Sequence, residues 1–418
     1  MTGNQPPARG TGPADKLDVN KLIQERAAAG GGDVLLPPGE YRVAQVKGGE
    51  NVRLTSERPG TVTLRPAGEV TTWIRSGPTA GFSIEGLILD GQGEGGESAV
   101  RSYGIEVSSG SRGFTLKNCR VGNLPVAIET RDDVEGLTVE GVSIHDVTIG
   151  IRLNKGPSRV VIRGCEFFEW RDSAIYVLGD DQHAVNDLLI ERNVIERHRR
   201  GLPQKSVRQP IRVHGKTDRP HRGVRVLQNR IIGADTNHAD TRDPGTADMI
   251  SLHRTSGFEV RGNELYGGGD VGITIAQGCE SGTVADNRVE RVDTVGLCLG
   301  SADSKDLTCR VTVENNEFID CAMDRPDTGG GEITRAVERA KAGVLVVRAA
   351  ECTIGQNAIS YQEGHPSADR RGISIRQSRD IDILPQVLRN ATEELYDDAD
   401  QGQGRVNAKL ASSRIRLR

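Results

Sequence analysis

Aromatic side chains make up only 3% of the 418 residues. That excludes a core built on large rings. Hydrophobic residues reach only 35%, while glycine numbers 52. A narrow core of Ile, Val and Leu lining thin coils accounts for all three figures. No apolar run approaches the roughly 18 residues of a membrane span, so no membrane partner is expected. The N-terminus from Met1 to Asp15 is polar and rich in Pro and Gly, without an apolar signal core. A cytoplasmic location is the expectation that follows. No CxxC pair occurs, so the usual zinc spacing is missing. The seven cysteines are odd in number and lack framework spacing, which suits a reducing compartment. Charge of neither sign dominates: 54 Lys and Arg face 58 Asp and Glu, for a net −4. No nucleic-acid partner is expected.

What is present is a repeat. An apolar residue, two variable residues, Asn, one residue and a second apolar residue recur as IERNVI, VLQNRI, VRGNEL, VADNRV, VENNEF and IGQNAI. The Asn residues are Asn193, Asn229, Asn263, Asn287, Asn316 and Asn357. Earlier copies hold Cys119, Val142 and Cys165 at that place. Spacings start at 23 residues and stretch to 41, so loops are inserted between fixed elements. A period in this range means a solenoid, propeller or array. Alternating apolar residues mean strands rather than helices. An Asn tolerates the left-handed backbone of a tight bend and bonds neighbouring backbone groups. Stacked at one corner, these Asn side chains predict a ladder. The length would suit several ordinary domains, but a solenoid grows without starting a new core. The expected fold is all-β, a single right-handed parallel β-helix of roughly ten coils with an N-terminal capping helix.

A second strand follows each copy: GIRLN from Gly150, AIYVL from Ala174, PIRVH from Pro210, MISLH from Met249, GITIA from Gly272 and GLCLG from Gly296. Its second and fourth residues are Ile, Leu or Val and should point inward. Its third and fifth should point to solvent. The expected layout is a disordered tail over 1–15, a cap helix and first strand over 16–49, the β-helix over 50–379 and a C-terminal cap over 380–418. A helix over the first coil would protect its open strand edge.

The amphipathic helix, the run GGGDVLLPPGEYRV from Gly30 and the Asn-marked coils together resemble the pectate-lyase-like superfamily of right-handed β-helix proteins. The resemblance covers nearly the whole chain. It implies the fold and a carbohydrate-active role. Members include polysaccharide lyases, glycoside hydrolases, uronate epimerases, fructotransferases and phage tail adhesins, so it implies no single reaction. The paired-Asp motifs of polygalacturonases and the acidic calcium cluster of pectate lyases are missing. No catalytic residue is carried over.

Aligning the second strands makes two outward columns. The third positions run Glu106, Glu129, Arg152, Tyr176, Arg212, Ser251, Thr274 and Cys298. The fifth run Ser108, Arg131, Asn154, Leu178, His214, His253, Ala276 and Gly300. Just before the strand, Ser173, Gln209 and Asp248 form a further partial column. Reactive types cluster in the middle, and the two longest loops entering these strands, His198 to Gln209 and Gly233 to Ala247, are there too. Between Arg197 and Arg225 lie eight Arg and two Lys against one acid, Asp218. This stretch is either a solvated basic face or an anion site.

Two adjacent imidazoles resist double protonation, so one of His214 and His253 should stay neutral and accept a proton. Tyr176 could return one. Arg152 and Arg212 could hold a carboxylate by forked hydrogen bonds, with Lys205, Arg208, Ser251 and Arg254 alongside. Neutralising that carboxylate acidifies the adjacent C–H, as β-elimination or epimerisation of a uronate requires. The expected partner is an acidic saccharide or another small anion, with no cofactor and no metal. A metal held by the two histidines with Asp248 is the alternative for that pair. Asp240, Asp243 and Asp248 support a rival glycoside hydrolase or transglycosidase. An isomerase or cyclase of small molecules and a non-catalytic glycan-binding solenoid complete the alternatives.

Overall fold

The computed structural model describes residues 17–93, 96–196, 209–233, 248–268, 271–301, 304–322, 341–365 and 370–398, with the strands Ala8–Arg9 and Val406–Ala408. The chain divides into two compact units. One comprises 1–178 with 182–194, the other 179–181 with 195–418. Each is a stack of parallel β-coils.

The first unit opens with the helix Val19–Ala28. Asp18 caps it by accepting the Lys21 amide at 3.0 Å, which satisfies one orphan donor of the first turn. Val19 and Ile23 are its buried apolar residues. Three strands make each coil. On the first face, Gly32–Leu36, Val52–Ser56, Ser83–Glu85, Thr115–Lys117, Thr138–Glu140, Ser158–Arg163 and Asn186–Glu191 pair in parallel, one after the other. Ala8–Arg9, in the tail expected to be disordered, adds a short strand beside Gly32–Leu36.

In the second unit the first face runs His221–Leu227, Glu259–Arg261, Glu280–Ala285, Thr308–Glu314, Ala349–Ile354, Arg379–Ile383 and Val406–Ala408. The coils therefore continue past 379, where a cap was expected to begin. Ile381 and Ile383 keep the inward alternation and are buried. With eight described first-face strands in the first unit, the short Ala8–Arg9 included, and seven in the second, the rungs outnumber the ten or so counted from the motif, because the earliest coils lack it.

One coil shows why these residues form it. Val260, Leu265, Ile273 and Ile275 fall on the inward positions of three strands and are buried. Burying each such side chain is worth about 1.5–3 kcal/mol. Gly272, the second residue of the third strand Val271–Ala276, is glycine where a Cβ would sit 2.4 Å from the Val289 side chain and 2.6 Å from the Gly296 carbonyl oxygen.

The Asn ladder exists. Asn229 donates its amide N–H and Nδ2 to Asn263 Oδ1 at 2.9 and 3.0 Å. Asn263 does the same to Asn287, Asn287 to Asn316 and Asn316 to Asn357. Gln386 takes the place of the next Asn, accepting from Asn357 at 3.0 and 3.2 Å. The left-handed residue of the corner, however, is the one before the ladder Asn: Arg192, Gln228, Asp286 and Asn315, with φ between 53 and 55°. That bend turns the Asn side chain into the core instead of bending at the Asn itself.

All seven cysteines are free thiols. Cys119 and Cys165 sit at the same corner, two coils apart, with Val142 between. Burial pushes the Cys119 thiol up to about 12 and the Cys165 thiol to about 11.

Candidate active site

The strands Ile211–His214 and Ile250–His253 pair in parallel, with Arg212 opposite Ser251 and His214 opposite His253. Ile211, Val213, Ile250 and Leu252 are fully buried, which turns the alternate residues outward as the alternation requires. The His214 and His253 rings stack with centroids 4.0 Å apart and planes 10° from parallel. The expectation of open solvent at these columns does not hold. Ser251 is 0% exposed, and Thr274 and Cys298 are buried as well.

A directional chain of hydrogen bonds joins the group. Arg212 Nε donates to His214 Nδ1 at 3.2 Å. Arginine can only donate, so His214 carries its hydrogen on Nε2. That nitrogen lies 3.4 Å from Ser251 Oγ and donates to it. The Ser251 hydroxyl is then free to donate to His253 Nε2 at 3.3 Å. The chain starts on a fixed cation and ends on an imidazole lone pair.

Electrostatics keep both rings neutral. Burial, followed by the charges of Arg254 and Arg212, lowers His253 to about 4. Burial and then the adjacent His253 push His214 lower still. His221, fully buried, falls to about 4 through burial, against an opposing hydrogen bond with the His214 backbone. The sign for stability follows. Below about pH 6.5 the unfolded histidines take up protons while the folded ones do not. Stability is therefore full above that pH and declines as pH falls toward 4. Each group contributes a slope of up to about 1.4 kcal/mol per pH unit inside that window. Urea unfolding at pH 7, 5.5 and 4.5 should show this loss, and His253→Gln should make it shallower. Equal slopes in the two proteins would refute the depressed His253.

The remaining residues of the expected site are dispersed. Asp248 Oδ2 accepts from Gln209 Nε2 at 3.3 Å. Among the described residues no three His, Cys, Asp or Glu side chains converge to hold a metal, so the pairing of both histidines with Asp248 as metal ligands is not formed. Arg254, expected to meet substrate, is tied down at a left-handed corner with φ 49°. It donates to Thr217 Oγ1 at 3.0 Å and Gln277 Oε1 at 2.8 Å, and pairs with Asp306 at 3.5 Å.

Arg152 and Tyr176 belong to the first unit, in register with each other. Arg152 Nε donates to the buried Glu129, whose other oxygen accepts from Asn154 Nδ2 at 2.8 Å. Its guanidinium also lies 5.4 Å from the Tyr103 ring centroid. A carboxylate partner is thus already supplied from within, by a residue the column displayed but to which the sequence reading assigned no role. Lys205, Arg208, Asp240 and Asp243 lie outside the described residues.

With the coils and their outward face established, the class is that of β-helix proteins. The chain matches the right handed beta helix region over residues 97–202 and 221–384 and belongs to that family. Among solved structures it is similar to the A-module of the Azotobacter vinelandii mannuronan C-5 epimerase AlgE6. That match has 12% identity and a TM-score of 0.54, covering 96% of this chain and 97% of the other. The Streptococcus pneumoniae surface adhesin PfbA is similar at 13% identity and TM-score 0.53, with 92% and 91% covered. The PL6 family polysaccharide lyase of Pseudopedobacter saltans is similar at 12% identity and TM-score 0.51, with 94% and 92% covered. These likenesses show the fold. No curated protein matches the chain in sequence.

Proposed function

We propose that the chain is a carbohydrate-active enzyme that abstracts a proton from an acidic sugar or related carboxylate, as a lyase or an epimerase does. The observation that carries this reading is the neutral imidazole pair, linked to Arg212 through hydrogen bonds of 3.2–3.4 Å. His253 Nε2 has a lone pair that accepts a hydroxyl hydrogen from Ser251, so a proton can be added there. Arg212 donates its Nε to His214, and a guanidinium is the side chain whose planar fork matches a carboxylate. A base lowered to about 4 is weak when the site is empty. A bound carboxylate would offset the cationic field of Arg212 and raise the imidazole toward the pH at which a general base works best. The fold likeness to an epimerase and a polysaccharide lyase is consistent with this chemistry. The seven free thiols suit a reducing, cytoplasmic setting.

The proposal predicts charge-dependent recognition. Uronate oligosaccharides should bind, should bind more weakly as salt rises, and should outcompete neutral oligosaccharides of equal length. Calorimetry at two ionic strengths measures this. Equal affinity for neutral and acidic chains would remove the carboxylate from the mechanism. A product absorbing in the near ultraviolet identifies the lyase branch, and loss of a C–H hydrogen to solvent without that product identifies the epimerase branch.

A further inference from the structure

A cavity lies wholly within the first unit, on the second face of its coils. Val62–Pro66, Ile88–Asp90, Arg120–Thr130 and Ser143–Leu153 run parallel there. A pocket of about 320 Å³ opens over them, and its walls include Thr63, Arg65, Ile88, Asp90, Arg120 and His145. That volume is at the small end for a ligand cleft, which suits one sugar ring and excludes a chain.

Packing and hydrogen bonds hold the His145 side of the wall. The His145 ring is buried and stacks on Phe168 at 5.1 Å with planes 10° from parallel. It lies flat against Gly122, where a Cβ would come within 2.4 Å of the imidazole. Its Nε2 accepts from Arg120 Nε at 2.8 Å, and its Nδ1 therefore carries the hydrogen donated to Asp146 Oδ2 at 2.7 Å. Asp146 thus orients the imidazole, and the imidazole orients the guanidinium.

The charges of the lining do not balance. Arg65 pairs with Asp90 at 2.8 Å and approaches Glu40 at 3.7 Å. The other Asp90 oxygen accepts from Asn123 Nδ2 at 2.8 Å. Arg120 bonds only a neutral imidazole and forms no ion pair among the described residues. A planar guanidinium held through Nε leaves its two terminal amino groups as a fork matched to an oxyanion.

We infer that this pocket binds a single compact acid sugar or sugar phosphate, with its oxyanion on Arg120, its ring on Ile88 and a hydroxyl toward Thr63. The sugar part rests on the proposed function; the anion part does not. The test therefore uses the full chain carrying His253→Gln, so that turnover plays no part in it. The side-chain nitrogen signals of His145 are followed by NMR during titration with galacturonate, galactose 6-phosphate or galactose. Both anions should move the His145 signals saturably, galactose should not, and the tighter anion identifies the charged group. Arg120→Ala should weaken the anions by about 10-fold or more, and Arg120→Lys should restore part of the loss. Arg120 is exposed, so neither variant disturbs the core; because Arg120→Ala also removes the bond to His145 Nε2, the affinities of the variants are read by calorimetry, which does not depend on the His145 signals. No response to either anion, an equal response to galactose, or unchanged affinity in Arg120→Ala would overturn the inference.

Discussion

Replacing His253 with alanine is expected to lower turnover by about 10²–10⁴-fold, the usual cost of losing a general base. His214→Ala should fall in the same range, because it cuts the chain between Arg212 and Ser251. Both rings stack on each other and bond the buried Ser251 hydroxyl, so each change should also cost about 1–3 kcal/mol of stability near pH 7, and turnover is compared on protein shown to be folded. Arg212→Ala should behave differently. It would remove a contact made in both ground and transition states, and so raise KM as well as lower kcat. Steady-state kinetics on a uronate substrate separates these outcomes. Asp248→Ala, Asp240→Ala and Asp243→Ala are the controls, and each should be milder than either histidine change. An enzyme that survives loss of both histidines but not of these acids would replace the proton-abstraction reading with the hydrolase one.

The second large effect lies in the ladder. Asn287→Ala should destabilise the protein by about 2–5 kcal/mol in urea unfolding. Asn287 Oδ1 accepts from the Asn263 amide and from Asn263 Nδ2, and Asn287 Nδ2 donates to Val260 O at 2.9 Å. Alanine would strand the Asn263 N–H and the Val260 carbonyl inside the stack. Each buried group left without a partner costs about 1–3 kcal/mol, and the vacated space adds a cavity term. A cost below about 1 kcal/mol would mean that water or a shifted backbone replaces these bonds, and that the ladder does not hold the coils together.

The inward alternation was legible because it depends only on period two within one strand. The outward columns were legible for the same reason, and register pairs such as Arg212 with Ser251 agree with them. What surrounds a column was not legible. Nothing in MISLH tells that Ser251 is fully buried, since that depends on groups distant in sequence. Arg254 follows His253 directly, yet a left-handed corner turns it onto Asp306, and no periodicity announces that reversal. The C-terminal coils were missed because Gln386 performs the Asn role with one more methylene. The Arg120 and His145 pocket was missed because its residues lie on the second face, where the sequence reading followed only the corner motif.

The ladder of the second unit also has a direction. From Asn229 to Asn357 each residue gives its backbone N–H and one Nδ2 bond to the side-chain oxygen of its C-terminal neighbour, and among the described residues no side-chain oxygen of the row accepts from the C-terminal side. Such a row of aligned dipoles polarises itself, each bond strengthening the next. Coupling of this kind links only adjacent rungs, as in a one-dimensional lattice. A rung in the middle has two neighbours to lose and a terminal rung only one. The unit should therefore fray inward from its ends, with amide exchange slowest near Asn287 and fastest past Gln386, where the row of amides stops.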